Sequence, residues 1–90
     1  MYILTIHGKE NEGAYSVRDD EGDNILYLFE QEDDAVRYAM MLEDSGSPKM
    51  HVIEVEDEVM IRTCESLDYN YAVITPNDIV VPPSTKHDYI

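Results

Sequence analysis

The chain has 90 residues, too few for two hydrophobic cores, and 43% of them are apolar and fall in periodic blocks, which describes one folded domain and excludes a disordered chain. Twenty acidic residues against six basic ones give a formal net charge of -14, which repels nucleic-acid phosphates and anionic membrane surfaces and argues against direct binding to either. Cys64 is the only cysteine, so there is no disulfide framework and no cysteine-based zinc site, and a reducing compartment fits best.

The opening residues show no basic n-region, no apolar h-region and no long apolar run, so an unprocessed, cytoplasmic protein is expected. Tyr2 to His7 reads as a strand and stops at Gly8. The polar stretch Lys9 to Glu12, ending in Gly13, predicts a hairpin whose return strand is Ala14 to Arg18, where Tyr15 and Val17 alternate with Ser16 and Arg18. Asp19 to Asn24 supplies a second turn around Gly22. Ile25 to Phe29 is apolar at positions of both parities, which predicts a central strand covered on one side by a helix.

Gln31 to Ser45 carries the strongest helical signal. Glu32, Asp33 and Asp34 stand in its first turn, where carboxylates complement the helix dipole, and Gly46 closes it. Ala35, Tyr38, Ala39 and Leu42 recur at helical spacing and form the expected buried stripe, while Asp33 can pair with Arg37 on the outer face. A strand at His51 to Val55 puts Ile53 and Val55 on one face and Val52 on the other. A second helix, Glu58 to Leu67, is capped by Glu56 or Asp57 and should bury Met60, Cys64 and Leu67. Tyr71 to Thr75 is the last full strand, and Pro76 with Asn77 ends it. Residues 1–78 thus form one acidic α+β domain of order β-β-β-α-β-α-β: an antiparallel-rich mixed sheet of four to five strands with both helices on one face. Residues 79–90 are an extended tail with Pro82 and Pro83, able to add an edge strand at Ile79 to Val81.

Few constellations carry chemistry. The turn Asp19, Asp20, Glu21, Gly22, Asp23, Asn24 offers oxygen ligands, but Gly22 falls at the fourth position where a calcium loop needs glycine at the sixth, so a solvated hairpin turn is the better reading. His7, His51 and His87 belong to no paired-ligand motif, so no metal and no cofactor are expected. Cys64 lies on the inner face of the second helix and reads as core packing. No phosphate-binding glycine loop, nucleophile elbow or HExxH helix occurs, and a non-enzymatic role follows. The more informative feature is the run Ala35 to Leu42, which is more apolar than one buried stripe requires. Val36 and Met40 fall on one flank of the stripe and Met41 on the other, so with Asp33 and Asp34 they form the expected partner-binding surface.

The segments NEG-Y (Asn11, Glu12, Gly13, Tyr15), LFEQEDDAVRYAMMLE (Leu28 to Glu43), CES-DY (Cys64, Glu65, Ser66, Asp68, Tyr69) and the pair Pro82 and Pro83 together resemble an uncharacterised family of short acidic proteins from cyanobacteria, their phages and plastids. The most specific part is Phe29 to Ala39. The resemblance implies a domain of unknown function in an oxygenic phototroph or its virus, and it assigns no residue a catalytic role. The leading expectation is an interaction or regulatory domain that meets a basic patch on a protein partner, or a second copy of itself, without catalysis. The rivals are an acidic mimic occupying a nucleic-acid-binding surface of another protein and a metal-dependent ligand binder.

Overall fold

The computed structural model describes residues 1–10, 13–78 and 87–89, the last as backbone. Its elements are β1 (Tyr2–Ile6), β2 (Tyr15–Arg18), β3 (Asn24–Phe29), α1 (Glu32–Asp44), β4 (Met50–Glu54), α2 (Asp57–Ser66), β5 (Asn70–Ile74) and β6 (His87–Tyr89). The fold is α+β, and the five strands expected from the sequence are all present. Asn11 and Glu12 of the first turn lie outside the described residues, as do Ile79 to Val81, where an edge strand was expected, and Pro82 and Pro83. The strand described in the tail is β6.

β3 is the pivot of the sheet. It pairs in parallel with β5 along Ile25 to Phe29, while Ile25 and Leu26 also pair antiparallel with Val17 and Ser16 of β2. A strand residue has one neighbour per edge, so β5 holds one edge of β3 and β2 the other. Phe29 pairs with both Ile74 of β5 and Tyr2 of β1, which places β1 at the end of the edge that β2 begins. β1 in turn pairs along its whole length with β4, from Tyr2 opposite Glu54 to Ile6 opposite Met50.

Two expectations are corrected here. The hairpin between the first two strands does not form, because Ser16 and Val17 of β2 already pair with β3 on one edge and β6 on the other. The second correction concerns the helices, which lie on opposite faces of the sheet. α1 packs with Leu4, Tyr15, Phe29, Met50 and Ile74, whereas Cys64 of α2 packs with Ile3, Leu26 and Leu28. Ile3 and Leu4 are adjacent, as are Leu28 and Phe29, and successive side chains of a strand point to opposite faces. The helix cover on both sides explains why β3 is apolar at both parities.

The four residues of the expected stripe, Ala35, Tyr38, Ala39 and Leu42, are the buried residues of α1. Tyr38 centres an aromatic cluster, with ring centroids 5.5 Å from Tyr15, 5.7 Å from Tyr27 and 5.4 Å from Phe29. Its hydroxyl shares a buried hydrogen bond of 3.0 Å with that of Tyr15, which removes the main penalty of placing a phenol in a core. Neither helix has a side-chain N-cap bond; Gln31 and Glu56 occupy those positions, and the carboxylates of each first turn act on the helix dipole instead. Both helices end in a Schellman motif. After α1, Gly46 has φ 95° and the Ser47 N–H donates to Leu42 O at 3.1 Å. After α2, Asp68 takes the left-handed position at φ 57°, and the Tyr69 N–H donates to Cys64 O at 2.8 Å.

Two predictions follow from this packing. An aspartate at the left-handed cap is strained where glycine is not, so Asp68→Gly should raise stability by about 0.5–1 kcal/mol in denaturant titration. Burial, reinforced by the hydrogen bond to Tyr15, holds the Tyr38 hydroxyl far above its ordinary value of 10.0, and burial raises Tyr27 as well. A phenol whose folded pKa is raised contributes nothing to pH dependence while both states are protonated. Above about pH 10 the unfolded chain ionises and the native core resists, so stability falls as pH rises. Equilibrium unfolding across that range should show the fall, and Tyr38→Phe should shallow it while costing about 0.5–1.5 kcal/mol at neutral pH.

Candidate functional site

With the core complete, the described residues still present large apolar side chains to solvent, on the outer faces of the two helices and on the segment that follows α2. On α1 these are Val36, 40% exposed, and Met40, 55% exposed, one turn apart. Their exposure matches the expectation for this flank. Met41 does not join them, because its flank of the helix packs half-buried against the cluster that contains Leu4, Met50 and Leu42. Of the two carboxylates expected at this surface, Asp33 is exposed. Asp34 is mostly covered and is itself the partner of Arg37, at 3.2 Å and i,i+3, in place of the expected Asp33–Arg37 pair. The other oxygen of Asp34 is buried and has no hydrogen-bond partner.

A second surface, on the opposite face of the molecule, was not foreseen. Val59 is 53% exposed and Leu67 56% exposed, and Tyr69 and Tyr71 continue the exposure onto β5. Leu67 was expected inside, seven residues after Met60. It is in fact the C-cap, with φ -94° and ψ 3°, so the helix has ended and the chain turns before Leu67 can reach the sheet. Cys64 is consequently the one fully buried residue of α2, and Met60 and Ile61 pack beside it half-buried. Along the outer face, Val59, Arg62, Thr63, Ser66 and Leu67 line a shallow groove of about 360 Å³. Val59 was legible as an apolar residue off the Met60–Cys64 stripe; the exposure of Leu67 depended on where the helix stops.

The remaining sequence candidates have structural explanations. In the acidic turn, Asp19, Glu21 and Asp23 bring carboxylate oxygens within 4.8 Å of one another. Asp19 Oδ1 accepts the backbone N–H groups of Glu21 and Asp23, each at 2.9 Å, so this carboxylate closes the hairpin between β2 and β3. His7 and His51, distant in sequence, come to 6.0 Å between ring centroids because β1 and β4 pair, and His51 Nδ1 lies 3.7 Å from Glu10. Both rings are exposed. The Cys64 thiol is pushed up by burial and then by Glu65, which keeps it protonated and unreactive, as its place on the inner face predicted. Asp78 is held below the usual carboxylate range by the N–H and hydroxyl of Thr75, which donate to it at 2.8 and 3.0 Å. These bonds close the turn after β5.

No helix among the described residues is long and apolar enough to cross a membrane. No curated protein and no solved structure is significantly similar to this chain. A family model, in contrast, matches residues 1–84, so that the strand-to-helix corner Phe29 to Ala39, both helices and the exposed apolar surfaces all fall within it. By that match the chain belongs to the DUF3110 family, a domain of unknown function.

Proposed function

We propose that this domain is a non-catalytic interaction or regulatory module that engages a protein partner with a basic surface. The observation that carries the reading is the set of large apolar side chains left outside a finished core: Val36 and Met40 on α1, and Val59 and Leu67 on α2. Each pair stands among carboxylates. Exposed apolar groups gathered on a helix face within a charged rim are the usual composition of a docking surface, where burial supplies affinity and complementary charge supplies speed and selectivity. Two copies of the chain would each bring a charge of -14, which favours a basic partner over self-association.

The resemblance carried by the block Phe29 to Ala39 implies a partner in an oxygenic phototroph or its virus, and the single cysteine fits a reducing, cytoplasmic setting. The second reading, an acidic mimic of nucleic acid, draws on the same charge without the apolar groups, and salt separates the two.

The test is affinity capture from cyanobacterial extract, followed by titration of the purified captured protein against the domain. A single partner should survive high salt, and replacing Val36, Met40, Val59 and Leu67 together by serine should weaken it by about a hundredfold or more. Partners that all dissociate at high salt, or that bind the variant equally well, would show that charge alone is responsible and that the proposal is wrong.

A further inference from the structure

Of the large apolar side chains exposed among the described residues, two lie on α1 and four, Val59, Leu67, Tyr69 and Tyr71, run from α2 through the turn that follows it into β5. Val59 and Thr63 stand one turn apart on α2 and Leu67 follows at its C-cap, so the three side chains form a ridge along one side of the helix and its end. Thr63 in the middle donates its hydroxyl to Val59 O at 2.8 Å, so the ridge has no unsatisfied hydroxyl at its centre. Burying it would cost no hydrogen bond with water there. The groove of about 360 Å³ runs along this ridge.

The rim determines the occupant. Glu56, Asp57, Glu58, Glu65 and Asp68 are exposed around α2, against Arg62 and the N-terminal ammonium of Met1, which pairs with Asp57, so the rim keeps an excess of carboxylates. A second copy of this surface would bring the same carboxylates against these, and a nucleic acid would bring phosphates. We infer that the outer face of α2, continued by Tyr69 and Tyr71, is the docking surface for an amphipathic helix of a partner protein that presents an apolar ridge flanked by lysine or arginine. The inference rests on the interaction reading above and adds to it the place and the partner's chemistry. A helix suits the surface because a ridge with residues every fourth position offers grooves that accept the matching ridge of another helix. The two tyrosines extend the contact past the C-terminus of α2, where aromatic rings can cover apolar stems and face cationic groups.

The probe is a synthetic amphipathic helix of leucine and lysine, with an oligolysine of equal charge as control, each titrated into isotopically labelled protein and followed by amide chemical shifts. The leucine–lysine helix should shift Val59, Thr63, Leu67, Tyr69 and Tyr71, and its binding should persist at a salt concentration that removes oligolysine. Val59→Ser combined with Leu67→Ser should weaken it about tenfold or more while leaving the amide spectrum elsewhere unchanged. Both residues are exposed, so the variant keeps its core.

Absence of binding by the leucine–lysine helix, equal binding by the variant, or shifts spread over the acidic turn at Asp19 to Asp23 would overturn the inference. Shifts confined to Val36 and Met40 would overturn this surface and leave the broader interaction reading standing on α1. Loss of every salt-resistant partner in the capture experiment would remove the broader reading itself.

Discussion

The structure depends on one strand being dry on both sides. Leu28 and Phe29 of β3 are adjacent, point to opposite faces and are both fully buried. Covering a side chain of that size is worth about 1.5–3 kcal/mol, and neither face can be left to water without losing it. The described residues hold two helices to provide the cover, and α1 takes one face and α2 the other. The rest follows from that allocation: β5 and β2 hold the two edges of β3, and the chain order forces α2 to cross from β4 at one side of the sheet to β5 at the other.

The two covers are unequal. α1 brings four buried residues and docks Tyr38 into a cluster of rings, where the phenol is held by a hydrogen bond as well as by packing. α2 is shorter, buries Cys64 alone completely, and ends in a Schellman turn whose left-handed position is filled by aspartate. A ten-residue helix in water is marginal by itself, so α2 relies on a small contact with the sheet. Its side of the molecule also holds four of the exposed large apolar side chains, Val59, Leu67, Tyr69 and Tyr71, against Val36 and Met40 on α1. A partner laid across that surface would give α2 a second layer, so that the lightly held helix and the proposed docking face become one physical feature.

Much of this was legible in the residues because helical period is a local property. The stripe Ala35, Tyr38, Ala39 and Leu42 could be read directly, and so could the close of α1 at Gly46 and the hairpin turn at Asp19 to Asn24. The block Phe29 to Ala39, the most distinctive stretch of sequence, is the corner where β3 hands over to α1, and Phe29, Ala35, Tyr38 and Ala39 are core residues. What escaped reading was non-local. Period two shows that Ile25 to Phe29 has two apolar faces, yet it does not say which helix covers which. The missing first hairpin reflects competition for β2 by a segment some seventy residues downstream. Two burials turn on finer packing: Met41 is half-buried because its flank of α1 is sheltered by the cluster around Met50, and Leu67 is exposed because α2 stops one residue short of it.

On this packing α1 belongs to the cooperative core and α2 should open separately, a difference that native-state hydrogen exchange measures directly. Amides of α1 around Tyr38, Ala39 and Leu42 should exchange only through global unfolding, with protection matching the stability obtained from denaturant. Amides of α2 around Cys64 should exchange through a smaller opening, at least about tenfold faster than those of α1. Equal protection in the two helices would mean that α2 is held as firmly as α1 and would contradict the light anchoring of α2.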